Sequence, residues 1–290
     1  EGLLGRVLGR AADPAARALS DYAHLIGAGG KRKITAGSFS LPELGIVFDC
    51  ALDLRADADG MPADLMRVFA ALVERAKAEN DKVLVSIFVN PTQFNDPKDF
   101  QNYPTNLEAD LELLKEAGAD YVLAPSPELM YPDAFKYKVL ETDVSNILCG
   151  AFRPGHFEGM LTVVLKLLNI SQAAKSYFGE KDFQQLELVK GMAEAFFLPV
   201  QIVACPTTRA EDGLALSSRN KRLTEEDRKK AAKFPALLSQ SLESSKILQS
   251  LRDEGFEVEY VEEWKGRKLA AVRLGEVRLI DNVETKGANL

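Results

Sequence analysis

The sequence predicts an α/β protein: a large N-terminal domain on a mostly parallel sheet, and a smaller C-terminal α+β domain. Three observations predict it. From residue 65 onward, segments of helical period alternate with short apolar runs rich in β-branched residues, the strand, loop and helix rhythm that lays strands side by side in one direction. The run from Lys82 to Val89 carries no polar alternation, as a strand covered on both faces requires. After Arg209 the texture changes to charged helix and then to two strands around a two-residue turn. That change places a boundary near 207–210 and divides the chain into 1–208 and 209–290. A length of 290 residues suits two domains, at roughly 100–200 residues per domain.

Each element has its own signal. Over residues 3–18, Arg6, Arg10 and Arg17 stand among alanines and leucines and read as an amphipathic surface helix. Leu65 to Glu79 reads as a helix and Lys82 to Val89 as a buried strand. A polar loop leads to a helix from about Asn106 to Ala117, with Gly118 placed to take the left-handed cap that ends it. Asp120 to Ala124 is a strand, His156 to Ile170 a helix, Lys175 to Phe178 a short strand, Asp182 to Phe197 a helix and Val200 to Ala204 a strand. Thr224, with Asp227 three residues on, opens the charged helical stretch as a capping box. Lys268 to Leu274 and Val277 to Val283 flank Gly275-Glu276, a type II′ hairpin signal.

Composition narrows the chemistry. Thirty-six Lys and Arg against 43 Asp and Glu leave a net charge of -7. Such a chain has no global attraction for nucleic acid or an anionic membrane, so an anionic ligand must meet a local cluster of donors. The three cysteines, Cys50, Cys149 and Cys205, form no CxxC pair, which predicts neither a disulfide framework nor a zinc site and fits the reducing cytoplasm. With two histidines, His24 and His156, a histidine-rich metal centre is excluded. Val83 to Val89 is far shorter than the roughly 18–20 apolar residues that span a bilayer.

Ligands of an open parallel sheet bind at the carboxyl ends of its strands, so the loops after 89, 178 and 204 are the candidates. In Phe88-Val89-Asn90-Pro91-Thr92-Gln93-Phe94, Pro91 stiffens the strand exit and two carboxamides project; an amide offers donor and acceptor together, which suits a hydroxylated acid. In Tyr177 to Gln185, Gly179 is followed by Glu180-Lys181-Asp182, where Asp182 can cap a helix whose free N–H groups attract anions and Lys181 faces a phosphate. Gln184 and Gln185 fall in the first turn, and Gln185 reaches the same crevice. In Asp212 to Asn220, Ser217, Ser218 and Arg219 make a loop that can close on phosphate oxygens. Taken singly, these loops also read as a polar turn, a capped helix with a solvated lysine and a linker. His156, in Arg153-Pro154-Gly155-His156, reads as a helix-entry histidine satisfied by backbone.

Together the runs Ser86 to Phe94, Arg153 to Gly159, Phe178 to Leu186 and Asp212 to Asn220 closely resemble the pantothenate synthetase (pantoate-beta-alanine ligase) family of the nucleotidylyltransferase-like superfamily. The resemblance spans about 70 to 224 and returns at Arg278 to Asn282. It implies a Rossmann-like nucleotide-binding domain and a small C-terminal lid. It also implies a two-step reaction: pantoate attacks ATP to give pantoyl adenylate and pyrophosphate, then beta-alanine displaces AMP. By motif, Gly179, Glu180, Lys181, Asp182, Thr208, Leu216, Ser217, Ser218 and Arg219 resemble the ATP-binding residues, with Lys181 catalytic. Asn90, Gln93 and Gln185 resemble the pantoate pocket, with Gln93 also near beta-alanine. Mg²⁺ and a homodimer are further implications, and no residue is assigned as a metal ligand.

The chain departs from the family where a His-x-Gly-His motif should precede the first helix. Counting back from Leu72-Val73-Glu74, Met66 and Phe69 take the histidine positions, and residues 1–64 match poorly. If those two side chains stand beside the ATP phosphates, Met66→His, Val68→Gly and Phe69→His together should raise adenylation. The departure also sustains a second expectation, a degenerate homologue that binds ATP or pantoate with little or no catalysis.

Overall fold

The computed structural model describes the strands at 23–25, 32–33 and 44–48, residues 63–93 and residues 107–285. The helix expected at 3–18 lies outside the described residues, as does Cys50. In chain order the strands are β1 (Ala23–Leu25), β2 (Arg32–Lys33), β3 (Leu44–Phe48), β4 (Lys82–Ser86), β5 (Tyr121–Leu123), β6 (Lys175–Gly179), β7 (Gln201–Cys205), β8 (Glu257–Trp264), β9 (Arg267–Leu274) and β10 (Val277–Glu284). The helices are α1 (Ala63–Glu79), α2 (Leu107–Glu116), α3 (Pro127–Met130), α4 (Cys149–Phe152), α5 (His156–Ser171), α6 (Phe183–Ala195), α7 (Glu225–Ala231), α8 (Lys233–Leu238) and α9 (Ser244–Asp253).

Two sheets form: a seven-stranded one in the order β2-β1-β5-β4-β3-β6-β7 and a three-stranded one in the order β10-β9-β8. Within the first, β5, β4, β3, β6 and β7 are mutually parallel, and β1 joins β5 antiparallel. From β3 the chain winds one way through β4 to β5, then crosses back to lay β6 against the other side of β3. The order therefore reverses between β3 and β6, the switch point at which doubly wound sheets open a ligand crevice.

Side-chain alternation builds a core on each face of this sheet. Val83 and Val85 pack with α1 and α2 through Phe69, Leu72, Val73, Leu111 and Leu114, whereas Leu84 joins Met160, Val164 and Leu186 of α5 and α6. Successive strand residues point to opposite faces, and here both faces are covered, which is why the run shows no polar alternation. The C-terminal sheet is also covered twice. Ala270 and Val272 pack under Phe234, Ile247 and Leu251, while Leu269, Ala271 and Tyr260 join the core containing Met160 and Phe178. The smaller sheet is thus sealed onto the larger.

Several expectations shift by a few residues for local reasons. The strand expected to reach Val89 ends at Ser86, whose partner Leu123 closes β5. The helix expected from Asp182 to Phe197 begins as a 3-10 turn, Glu180–Asp182, and runs as α6. Asp182 stands at the N-cap without a capping bond, and its backbone (φ -94, ψ 58) lies outside the extended region from which a capping side chain reaches back to the helix. Gly118 takes φ 85 as expected, and Gly275 takes φ 54 in a hairpin whose next residue is not left-handed, the type II′ pattern. Thr224 accepts from Asp227 N at 3.1 Å, the backbone half of the expected capping box. The strands β1, β2, β3 and β8 and the short helices α3 and α4 are additions to the sequence reading.

Candidate active site

The crevice at the carboxyl ends of β6 and β7 has a cavity volume of about 360 Å³ and is walled by Val68, Leu72 and Arg75 of α1, by Gly179, Lys181 and Gln185, and by Thr208, Leu216 and Ser217. Its position follows from topology; two of the three loops singled out in the sequence, those after β6 and β7, wall it together with α1, whereas among the described residues none of its lining comes from the loop Phe88 to Phe94. A methyl group added at Gly179 would meet no atom within 4 Å, so this backbone lies open to close approach by a ligand. Cys205 also borders the crevice; burial pushes its thiol up to about 11, leaving an inert apolar wall.

The two glutamines of the first α6 turn have separate duties. Gln184 is consumed by structure: its Oε1 accepts from Cys149 N at 3.0 Å, and its Nε2 donates to the carbonyls of Val144 at 2.8 Å and Ile147 at 2.9 Å. Gln185 is also buried, at 7% exposure, yet it faces the crevice. Among the described residues no hydrogen bond holds its amide.

Asn90 acts through its neighbours. It is 3% exposed; its Nδ2 donates to Gly159 O at 3.2 Å, and its Oδ1 accepts from Thr92 Oγ1 at 3.0 Å and Tyr131 OH at 2.7 Å. The amide therefore fastens the β4 exit to α5 and α3. Gly159 makes this possible, since a Cβ there would stand 2.4 Å from Thr92 Oγ1. Gln93 ends the following 3-10 turn, Pro91–Gln93; its side chain is outside the described residues.

Lys181 is 15% exposed, and its Nζ lies 3.6 Å from Asp182 Oδ2, longer than a hydrogen bond. Thr208 lends its carbonyl to Leu216 N at 2.9 Å, a bond that closes the 208–216 loop upon itself. Ser217 Oγ accepts from Arg219 N at 3.3 Å, so its hydroxyl hydrogen is left for another acceptor. Ser218 begins the 3-10 turn Ser218–Arg222.

On the far side of Lys181 and Gln185 lies a second cavity, bordered by Arg153, His156, Arg219 and Arg278. His156 opens α5, as the sequence suggested, but its partner is a side chain: Arg153 Nη1 stands 2.9 Å from its Nε2. Burial, together with the charges of Arg219 and Arg278, pulls Arg153 down to about 10. Burial and the Arg153 charge hold His156 well below its ordinary value, so the ring is neutral.

The C-terminal sheet braces the Lys181 loop. Asn282 Nδ2 donates to the carbonyls of Glu180 at 2.8 Å and Lys181 at 3.0 Å, and Glu180 pairs with Arg267 at 2.9 Å. Arg209 grips the buried Asp281 with two bonds of 2.6 and 2.9 Å. In the sequence Asp281 and Asn282 carry no role beyond belonging to the run Arg278 to Asn282 where the family resemblance resumes; the local signal is two adjacent polar residues within a strand. Replacing Asn282 with Ala orphans two carbonyls. The expected cost is about 1–3 kcal/mol of stability, with faster amide exchange at 180–182, measured by urea unfolding and hydrogen exchange.

Among the described residues no group of three or more His, Cys, Asp or Glu side chains gathers to hold a metal. Mg²⁺ commonly takes one or two carboxylates plus substrate phosphates, and Asp182, bordering both cavities, is a carboxylate of that kind. The donor set therefore fits an ion carried in on phosphates.

A doubly wound parallel sheet, a crevice at its switch point and a second domain packed beside it define a Rossmann-like α/β protein. The chain belongs to the pantoate-beta-alanine ligase family, whose model matches residues 65–284. Pantothenate synthetase of Bdellovibrio bacteriovorus is 51% identical over 213 residues, covering 73% of this chain and 85% of the relative. That of Coxiella burnetii is 48% identical over 213 residues, covering 73% and 82%. A Francisella tularensis pantoate-beta-alanine ligase complexed with beta-gamma ATP and beta-alanine superposes with a TM-score of 0.74 at 39% identity, covering 86% of this chain and 92% of that one. The pantothenate synthetase of Thermus thermophilus superposes at 0.72 and 38% identity, covering 85% and 95%. Family and relatives indicate ligase activity.

Proposed function

We propose that the chain joins pantoate to beta-alanine through a pantoyl adenylate. The observation that carries this reading is the uncommitted Gln185 amide beside Lys181 in one crevice. In the first step a pantoate carboxylate oxygen bonds to the α-phosphorus of ATP while the α–β bridging bond breaks, and pyrophosphate leaves with the electron pair. In the second, the amine of beta-alanine attacks the acyl carbon, gives up a proton, and AMP departs.

Gly179 to Asp182, Thr208 and Leu216 to Arg219 hold ATP. Gly179 allows backbone approach, Lys181 meets the charge developing on phosphate, Ser217 donates its hydroxyl, and Glu180, tied to Arg267, keeps the loop in place. Gln185 and Gln93 bind pantoate, Gln93 also meets beta-alanine, and Asn90 shapes the pocket from behind. Mg²⁺, when bound, offsets phosphate charge as a Lewis acid; Asp182 is the residue that would hold it. The domain division falls at 208/209. Exposed Tyr137, Leu140 and Ile147 suit a homodimer interface, which light scattering tests. Among the described residues no helix is long and apolar enough to cross a membrane; the cytoplasmic location is proposed from the unpaired cysteines, which suit a reducing compartment.

A second reading, binding with little catalysis, is favoured by one observation: Phe69, at a family histidine position, is an apolar core residue. Pyrophosphate release is the test. Release that requires pantoate upholds the ligase; none at high enzyme concentration upholds the binder. For the pocket, Gln185→Leu should weaken pantoate binding by roughly tenfold to a hundredfold and leave ATP binding nearly unchanged, by calorimetry. Equal pantoate affinity in variant and parent rejects the assignment.

A further inference from the structure

Strand β10 lies at one edge of the three-stranded sheet, and its pairing with β9 runs from Val277 to Glu284 without a register shift. Adjacent residues of such a strand point to opposite faces. Leu279 and Val283 face the C-terminal core and Ile280 faces the core shared with α5 and α6, so Asp281 belongs to the first face and Asn282 to the second. Both are buried, at 3% exposure each. A polar group is costly to bury unless it is partnered, and these two neighbours spend their bonds on two different loops.

On one face the Arg209 guanidinium meets the Asp281 carboxylate in a bidentate grip of 2.6 and 2.9 Å, the strong form of a charge-assisted pair. Arg209 Nη1 also donates to Gly213 O at 3.0 Å, and Arg209 pairs with Ala215 in an antiparallel bridge, so the grip holds the root of the loop that leads into Ser217. On the other face Asn282 Nδ2 donates to the carbonyls of Glu180 and Lys181, while its Oδ1 accepts from Arg267 Nη1 at 2.6 Å, which leaves the amide one orientation. Asp281 Oδ1 accepts from Asn282 N at 2.8 Å and locks the two grips together. Along the chain the Lys181 turn reaches the Ser217 loop only through α6 and β7; across β10 the two are held by neighbours whose Cα atoms stand ~3.8 Å apart. We propose that Asp281 and Asn282 are positioning residues that hold the two ATP-binding loops at a fixed separation from opposite faces of β10, so that the C-terminal sheet sets the span between Lys181 and Ser217. This rests on the ligase reading above, which places ATP on both loops. Donors kept at a fixed span meet the triphosphate without rearrangement.

The test is calorimetric titration of the full chain with a non-hydrolysable ATP analogue and, separately, with pantoate, in the parent, Arg209→Lys, Asn282→Ala and the double variant. Arg209→Lys keeps a charge for Asp281 and loses the planar fork. Each single substitution should weaken the analogue by about tenfold and leave pantoate affinity unchanged. The double variant should bind no more weakly than the weaker single, because a span released at one end is not altered further by releasing the other, and groups acting through one network are non-additive in this way. Asn282→Ser, which keeps one donor, serves if Asn282→Ala does not fold by circular dichroism. Analogue affinity equal to the parent in the folded variants overturns the proposal. So does a double variant whose loss is the product of the singles, about a hundredfold, since the loops would then be braced separately. A loss shared equally by pantoate overturns it as well, being a general loosening of the site. A parent that binds no nucleotide overturns the placing of ATP on these loops and the proposal with it, and that failure shows in the parent before any variant is compared.

Discussion

Lys181→Ala is expected to weaken ATP use by on the order of 1.5 to 3 kcal/mol, the worth of one charge-assisted contact, while pantoate binding stays intact. The ammonium is partly buried and 3.6 Å from its acid neighbour, so no hydrogen bond must be broken before it meets a phosphate. Its backbone is held by Asn282 at 3.0 Å, which fixes the stem from which the side chain reaches. Donors preorganised in this way act without reorganisation at the moment of reaction. Calorimetry with a non-hydrolysable ATP analogue and a pyrophosphate assay read the two effects. If nucleotide affinity and turnover both match the parent, Lys181 is only the ion-pair partner of Asp182.

The second large effect concerns the family histidine positions. Phe69 is 2% exposed and packs with Leu72, Val73, Val85 and Tyr177, whereas its neighbour Val68 borders the crevice. A histidine at 69 would lose apolar contacts and bury ring nitrogens in a wall of aliphatic side chains. Truncating a core Phe costs about 3–5 kcal/mol, and an unpartnered buried polar group adds about 1–3 kcal/mol. Imidazole keeps some of the ring volume, so the expected destabilisation of Phe69→His is about 3–5 kcal/mol. The triple variant Met66→His, Val68→Gly and Phe69→His should therefore melt earlier and show no gain in pyrophosphate release. The reason is geometric: residue 69 turns inward on α1 while residue 68 borders the crevice. A folded triple variant with raised pyrophosphate release would show that α1 presents position 69 to the phosphates.

Periodicity in the sequence located α1, α2, α5, α6 and the strands β4 to β7 because these carry their own pattern: apolar stripes spaced by a helical turn, or β-branched runs closed by Gly, Pro or Asn. The central strand β3 carried a weaker one. Leu44-Gly45-Ile46-Val47-Phe48 is an apolar run of strand length just after Pro42, but five such residues are compatible with a buried helix segment as well. Only pairing with β4 and β6 settles it as a strand. β8 was hidden for another reason: its exposed Glu257, Glu262 and Glu263 dilute the alternation, and it is held in place by β9 and by Tyr260 entering the core.

By itself the sequence determined the fold class, two of the loops that wall the crevice and the family, because turn residues, capping residues and short motifs are written locally. Which residue of each motif faces the crevice was decided only by tertiary packing. Gln184 and Gln185 are adjacent and chemically identical, yet one fastens the 144–149 segment and the other faces the crevice. Asn90 looks like a projecting carboxamide in the sequence and is a buried fastener in the structure. Arg153, Arg219 and Arg278 are 66 and 59 residues apart in turn, and nothing local in the chain announces that they line one cavity. A side chain's direction is set by the helix or strand that carries it and by what already fills the space on either side, and that space is defined by residues distant in sequence.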